Sequence, residues 1–191
     1  MAPRVSANAL DRQGNTTKMT NPWLDIPEVD YVGHMSSPTV NQRPVLSRLL
    51  GDALESIRPR TVLVLGCSTG NGLEHVNPKV TSRVTVVDLN PAYLLRLGER
   101  FPNPGFELDI RCADPTEVVL EREAFDLVHA GLVLEYVEWP LLLPRVAEVR
   151  WCSQRRPTDT IRVDSSGHAN HFRQPAVVGV AVSLCRTRGA R

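Results

Sequence analysis

Lysine is nearly missing from this chain: of its 22 basic residues, only Lys18 and Lys79 are not arginine. A bias of that kind points to a G+C-rich coding sequence rather than to a binding property. No apolar stretch approaches the roughly 20 residues that a membrane-spanning helix needs, which argues against a membrane protein. The first residues carry no basic-then-apolar leader, so the expected location is cytoplasmic. The four cysteines, at 67, 112, 152 and 185, form no C-x-x-C pair. That spacing excludes a zinc ribbon or a disulfide framework and suits reduced, mostly buried thiols. There is no Ser-His-Asp order, no P-loop lysine and no evident pair of catalytic carboxylates.

What remains is a 191-residue chain of ordinary hydrophobic content, 42%, long enough for one domain with a substantial core. Its charge is uneven. Residues 150–191 hold eight arginines and two aspartates, a net +6, whereas residues 1–149 carry −5.

The informative stretch is TVLVLGCSTGNGLEHV, Thr61–Val76. Four apolar residues, Val62–Leu65, break directly into Gly66, Ser68, Gly70 and Gly72. A run that short and that apolar suits a strand buried on both faces of a parallel sheet. Residues without bulk then leave room for a tight turn, a helix start and a ligand. A second apolar run, VTVVD, ends on Asp88, 22 residues past Gly66, where a doubly wound fold holds a ribose hydroxyl pair. The spacing Gly66-x-Ser68-x-Gly70 differs from the G-x-G-x-x-G of dinucleotide sites, and speaks against a nicotinamide-dependent oxidoreductase.

Periodicity places the other elements. Residues 1–22 are polar and aperiodic, an expected disordered terminus, and Trp23–Val40 reads as an irregular segment laid over the domain. Ser37-Pro38 offers an N-cap and first-turn proline for a helix ending near Ile57, with Pro44 arguing that its regular part starts there. Its apolar stripe is Val45, Leu46, Leu49, Leu50, Ala53, Leu54 and Ile57. A short helix over Gly72–Val76 stops at Asn77-Pro78. Asn90 and Pro91 open a helix reaching Phe101. Strands are expected at Phe106–Arg111 and Ala124–His129, and a helix over Trp139–Val149. Alternating strands and helices predict an α/β class: a Rossmann-like, doubly wound, mainly parallel sheet in three α/β/α layers.

The glycine pattern resembles motif I of the class I S-adenosylmethionine-dependent methyltransferases, and the likeness continues in order along the chain. Asp88 matches the acid that holds the ribose hydroxyls, and Leu89 the apolar residue beside the adenine. Asp114, in RCADPTEV, matches the acid near the adenine amino group. Phe125–Pro140, FDLVHAGLVLEYVEWP, is similar to the fourth strand and following helix, with Ala130 and Gly131 lining the cofactor. The resemblance implies S-adenosyl-L-methionine as cofactor, with Gly66, Cys67, Ser68 and Gly70 presenting backbone groups to its methionine moiety. Two positions depart from the pattern. Val64 stands where the family usually has an acid near the methionine amino group, and Ser68 replaces the middle glycine.

The resemblance covers residues 23–149, read as a partial methyltransferase domain. After Val149 the family continues with a Pro-Gly-Gly turn and three more strands. Here the text is an arginine-rich, aperiodic tail in which only Ala176–Cys185 could supply a strand. The expectation is a truncated or frameshifted end over residues 150–191, with the C-terminal strands incomplete or degraded.

The function implied is methyl transfer to a small-molecule acceptor, with no nucleic-acid partner, because no Asn/Asp-Pro-Pro-aromatic run occupies Ala130–Leu134. The alternative is a non-catalytic, cofactor-binding remnant. Tyr31, His34 and Met35 sit where relatives fold a flap over the cofactor, and Tyr31 is the candidate contact to the sulfonium. His129 could serve as a general base or simply be a satisfied strand-end histidine. Glu135 and Tyr136 are candidates to border the acceptor pocket. Cys152, His168 and His171 make too loose a cluster to expect a metal.

Overall fold

The computed structural model describes residues 9–10, 16–17, 22–122, 124–131, 133, 137, 139–149, 162–163 and 181–185. A two-residue antiparallel ladder, β1 (Ala9–Leu10) on β2 (Thr16–Thr17), lies in the terminal stretch expected to be disordered. The main sheet has six strands in the order β5-β4-β3-β6-β8-β7. Its four-stranded parallel half is β3 (Thr61–Leu65), β4 (Arg83–Asp88), β5 (Glu107–Cys112) and β6 (Leu127–Gly131). On the far side of β6, β8 (Ala181–Cys185) pairs antiparallel, followed by β7 (Arg162–Val163).

β3 and β4 are central because their side chains are apolar on both faces, and Val62, Leu63, Leu65, Val84, Val86 and Val87 are fully buried. β5 alternates Glu107, Asp109 and Arg111 with Leu108 and Ile110, which suits an edge. Asp109 accepts from Arg111 at 2.7 Å and lies 3.4 Å from the Arg83 guanidinium. Those partners hold its carboxyl below the usual aspartate range, Arg111 most strongly. Charges on an edge strand discourage pairing with another chain.

Helices cover both faces. On one face α2 (Gln42–Ile57) and α3 (Pro91–Arg100) bury Leu50, Ala53, Leu54, Leu94 and Leu97 against Val62, Val64, Val84 and Val86. On the other, α4 (Trp139–Val149) buries Leu142, Val146 and Val149 against Leu63, Leu65, Val128 and Ala130. The three layers are those expected, and α3 starts as its sequence suggests: Asn90 Oδ1 accepts from the N–H groups of Ala92 and Tyr93.

Three local expectations are corrected. Trp23–Val40 is not irregular, since it holds a 3-10 turn (Pro22–Leu24) and α1 (Glu28–Ser36). Ser37 does not cap α2 but ends α1: the proline after it forces an extended backbone, ψ 148°, and its hydroxyl donates to the His34 carbonyl at 2.8 Å. α2 begins after Asn41, which takes φ 48°, and Pro44 occupies its first turn, where a missing N–H costs nothing. The fourth strand runs two residues later than expected, so His129 lies inside β6 rather than at its end. Among the thiols, Cys67 is buried but Cys112 is exposed; the side chains of Cys152 and Cys185 lie outside the described residues.

The crossover from β3 to β4 contains only a 3-10 turn, Leu73–His75, before Asn77-Pro78. A groove of about 690 Å³ therefore opens beside α2, lined by Ser47, Gly51, Glu55, Arg58, His75 and Asn77 among others. It lies away from the Gly66–Gly70 loop and from Asp88. No helix among the described residues is long and apolar enough to cross a membrane.

Candidate functional site

From β3 the chain moves to β4 and β5 on one side, then returns to β6 on the other. The strand order thus reverses between β3 and β6, and in open α/β sheets ligands bind in the crevice outside the strand ends at such a point. The loop leaving β3 and the ends of β4 and β6 line that crevice.

In this loop every second residue takes positive φ: Gly66 at 68°, Ser68 at 47°, Gly70 at 80° and Gly72 at 88°. The every-second-residue spacing seen in the sequence is this alternation, and Ser68 bears the cost of a left-handed backbone with a side chain. Packing adds a second demand. A β-carbon at Gly66 would come 2.9 Å from Val133 Cβ, and one at Gly70 2.9 Å from Leu97 Cγ. Gly70→Ala is expected to cost more than the ~1–2 kcal/mol of left-handed strain, because Leu97 and Phe101 must also move; urea unfolding checks it.

Asp88, at the end of β4, turns toward the loop. Its Oδ2 accepts from Ser68 N–H at 2.7 Å, and its Oδ1 from Asn90 N–H at 2.9 Å. Burial pushes its carboxyl above the usual aspartate range, and the backbone N–H groups of Asn90, Ser68 and Leu89 only partly offset that. With about four acceptor sites on the carboxylate, the group can still accept a further hydrogen bond. Burial, and then the charge of Asp88, push the Cys67 thiol well above its ordinary value, so Cys67 is a packing residue here rather than a nucleophile.

The other loop donors are already used. Gly66 N–H and Cys67 N–H both reach the Val87 carbonyl, and Gly70 N–H the Cys67 carbonyl. The helix expected after Gly72 is one 3-10 turn, too short to carry a helix-terminal field. These N–H groups hold the loop in shape. Ser68 Oγ, in contrast, is buried without a hydrogen-bond partner. A buried hydroxyl left unpaired costs about 1–3 kcal/mol, which a polar ligand atom would recover.

The loop is braced by residues that the sequence patterns did not single out. Glu74 accepts from Gly72 N–H and Ser47 Oγ and lies 3.7 Å from Arg100. Burial raises its carboxyl, but Ser47, backbone N–H groups and Arg100 together hold it below the usual glutamate range. Arg100 donates to the Thr69 carbonyl. On the opposite face Arg145 donates to the Thr116 and Val118 carbonyls, securing the turn that carries Asp114. A single arginine on a helix has no signature in sequence, which is why these braces emerge only from the packing.

The remaining candidates separate into two groups. Leu89 is half-buried beside Asp88, and Cys112 Sγ approaches its carbonyl at 3.7 Å. Asp114 Oδ1 is engaged by both the N–H and the hydroxyl of Thr116, as in an Asp-Pro turn start. Ala130 is buried on the α4 face, in the core. Tyr31 lies 5.2 Å from the Tyr93 ring and 6.4 Å from Trp23. The flap is fastened to α3 by Asn90 Nδ2 donating to the Trp23 carbonyl and by the Tyr93 hydroxyl donating to that of Ile26. Burial, with Tyr31 and Asp88 nearby, pushes the Tyr93 hydroxyl up to about 12. Met35 is buried and His34 exposed. Glu135, Tyr136, Cys152, His168 and His171 lie outside the described residues, and no metal-ligand cluster occurs among the described ones.

Residues 62–152 match a family model described as a methyltransferase domain. The match covers just under half of the chain. A candidate S-adenosylmethionine-dependent methyltransferase from Methanococcus maripaludis shares the fold at TM-score 0.51 and 10% identity, covering 64% of this chain and 58% of that one. An S-adenosylmethionine-dependent methyltransferase from Mesorhizobium loti is 24% identical, at TM-score 0.44, over 54% of this chain and 47% of its own. The YcgJ protein of Bacillus subtilis matches at TM-score 0.49 and 15% identity, over 56% and 46%. The chain thus spans about half the length of these structures. No curated protein matches the sequence.

The residues present fit S-adenosylmethionine: Asp88 has acceptor capacity left for a ribose hydroxyl, and the Ser68 hydroxyl of the same loop is buried without a partner. The Ser68–Asp88 bond also ties the loop directly to the end of β4.

Proposed function

We propose that this protein binds S-adenosylmethionine through Gly66, Cys67, Ser68, Gly70, Asp88, Leu89, Asp114, Ala130 and Tyr31, and transfers its methyl group to a small-molecule acceptor. The observation that carries the reading is the Asp88 carboxylate, which turns into the loop at Ser68 while keeping acceptor capacity toward the crevice. The cofactor supplies an activated methyl on a sulfonium. The chain supplies orientation and exclusion of water, and positioning alone is worth up to about 7–11 kcal/mol in a two-reactant step. No dedicated base is assigned.

A cofactor-binding remnant without transfer is the second reading, favoured by one observation. The strand beside β6 is antiparallel, where the resemblance implies a fifth strand and a helix after a Pro-Gly-Gly turn, so the crevice wall beyond β6 is built differently. Two measurements separate the readings. Calorimetry with S-adenosylmethionine is expected to detect binding, and tritiated-methyl transfer into a small-molecule extract to detect product. Binding without transfer selects the remnant. Absence of binding defeats both.

A further inference from the structure

The segment from Thr69 to Gly72 has no helix after it to hold it, because the crossover from β3 contains only the 3-10 turn Leu73–His75. A side chain of that turn holds it instead. Glu74 Oε2 accepts from the N–H of buried Gly72 at 3.0 Å and lies 3.7 Å from Arg100 Nη2. Its Oε1 accepts from Ser47 Oγ of α2 at 2.7 Å. A carboxylate only accepts, so the Ser47 proton is committed to Glu74, and His75 Nε2, 2.9 Å from the same hydroxyl, is the donor in that contact. Arg100 in turn donates to the Thr69 carbonyl, and Asn71 Nδ2 donates to the Arg43 carbonyl at 2.9 Å. One carboxylate thus joins the loop to α2 and α3.

At its other end the loop is tied to β4 by Ser68 N–H on Asp88 Oδ2. Over this span Ser68, Gly70 and Gly72 all take positive φ, and two of the three are glycine. Glycine reaches many backbone conformations at similar cost, so the loop keeps one of them only while both ends are held. Without the Glu74 carboxylate, Gly72 N–H would be buried and unpaired, and the loop would shift to satisfy it. A shift there moves Ser68 N–H, and with it the orientation of the Asp88 carboxylate.

Resting on the reading of this site as one for S-adenosylmethionine, we propose that Glu74 is a positioning residue for the cofactor: its carboxylate holds the loop in the shape that aims Asp88 at the ribose. Glu74 acts through Gly72, Arg100 and the loop, not by touching the ligand.

The test is a double-mutant cycle with Asp88. It is read as S-adenosylhomocysteine affinity, by calorimetry on the full chain, at a temperature where urea unfolding shows each variant folded. Glu74→Ala is expected to weaken binding about tenfold, as when about a tenth of the molecules hold the binding shape. Glu74→Gln, whose amide oxygen still accepts from Gly72 N–H, recovers most of that loss. In an Asp88→Ala background, Glu74→Ala costs no further affinity, because its effect passes through the carboxylate already removed. A residue that only stabilised the fold would leave the affinity of the folded protein unchanged. Wild-type affinity in Glu74→Ala, or an equal loss in both backgrounds, overturns the positioning role and leaves the cofactor reading standing. A wild-type protein that does not bind S-adenosylhomocysteine overturns that reading itself. Should Glu74→Ala fail to fold, Ser47→Ala removes one bond to the same carboxylate, and the same cycle is expected with a smaller loss; no loss there overturns the role.

Discussion

Asp88→Ala is expected to weaken S-adenosylmethionine binding about a hundredfold, the loss of about 2.7 kcal/mol of charge-assisted hydrogen bonding to a ribose. It should also destabilise the fold by about 2–4 kcal/mol. The reason is local: the substitution strands two backbone N–H groups, those of Ser68 and Asn90, in a region where both residues are buried. Calorimetry and urea unfolding measure the two effects separately. A pH series sharpens the point. The folded-state pKa of Asp88 is raised, so through this group the fold gains stability below the ordinary aspartate pKa and loses it as pH rises through the folded value. Cofactor binding needs the ionised acceptor and moves the other way. Acid should therefore weaken binding at a pH where Asp88 itself is not yet a cause of unfolding. Wild-type affinity in Asp88→Ala would remove the central support for the site.

The second large effect concerns His129. Its pKa falls from an ordinary 6.5 to about 4 because the ring is buried. Between those values the unfolded chain takes up a proton that the folded protein refuses. Stability from this group is thus fully present above pH 6.5 and is lost as pH falls toward 4. A shift of that size corresponds to about 3 kcal/mol. Urea unfolding at pH 7.5 and at pH 4.5 is expected to show a loss of that order in the wild type. In His129→Gln, which cannot titrate, the loss should shrink by the same amount. An identical pH dependence in the two proteins would mean that the imidazole is solvated and that its burial has been misjudged.

These two residues also show how differently parts of the site could be read beforehand. Asp88 was visible because an apolar run ending on an acid at a fixed distance from a glycine turn is a pattern of neighbours in sequence. His129 was visible only as a residue near a strand end. The two-residue shift of β6 and the lean of its ring toward Gly131 come from register with β3, which no local pattern encodes. Ser37 illustrates the opposite failure. Ser-Pro is a helix-start signal, yet here the same proline restricts Ser37 to an extended backbone that ends the preceding helix.

The amino-acid sequence alone determined the strands at 61–65 and 83–88, the capped helix after Asn90 and the three-layer class. Those follow from periodicity, turn residues and capping, which act over a few positions and leave a local trace. Tertiary structure alone decided that the loop N–H groups are spent on Val87 and Asp88, that Arg100 and Arg145 brace the loops at Thr69 and Thr116, and that an antiparallel strand flanks β6. The physical reason is that hydrogen-bond partners and strand neighbours are chosen among groups far apart in the chain, by which donors and acceptors burial would otherwise leave unpaired.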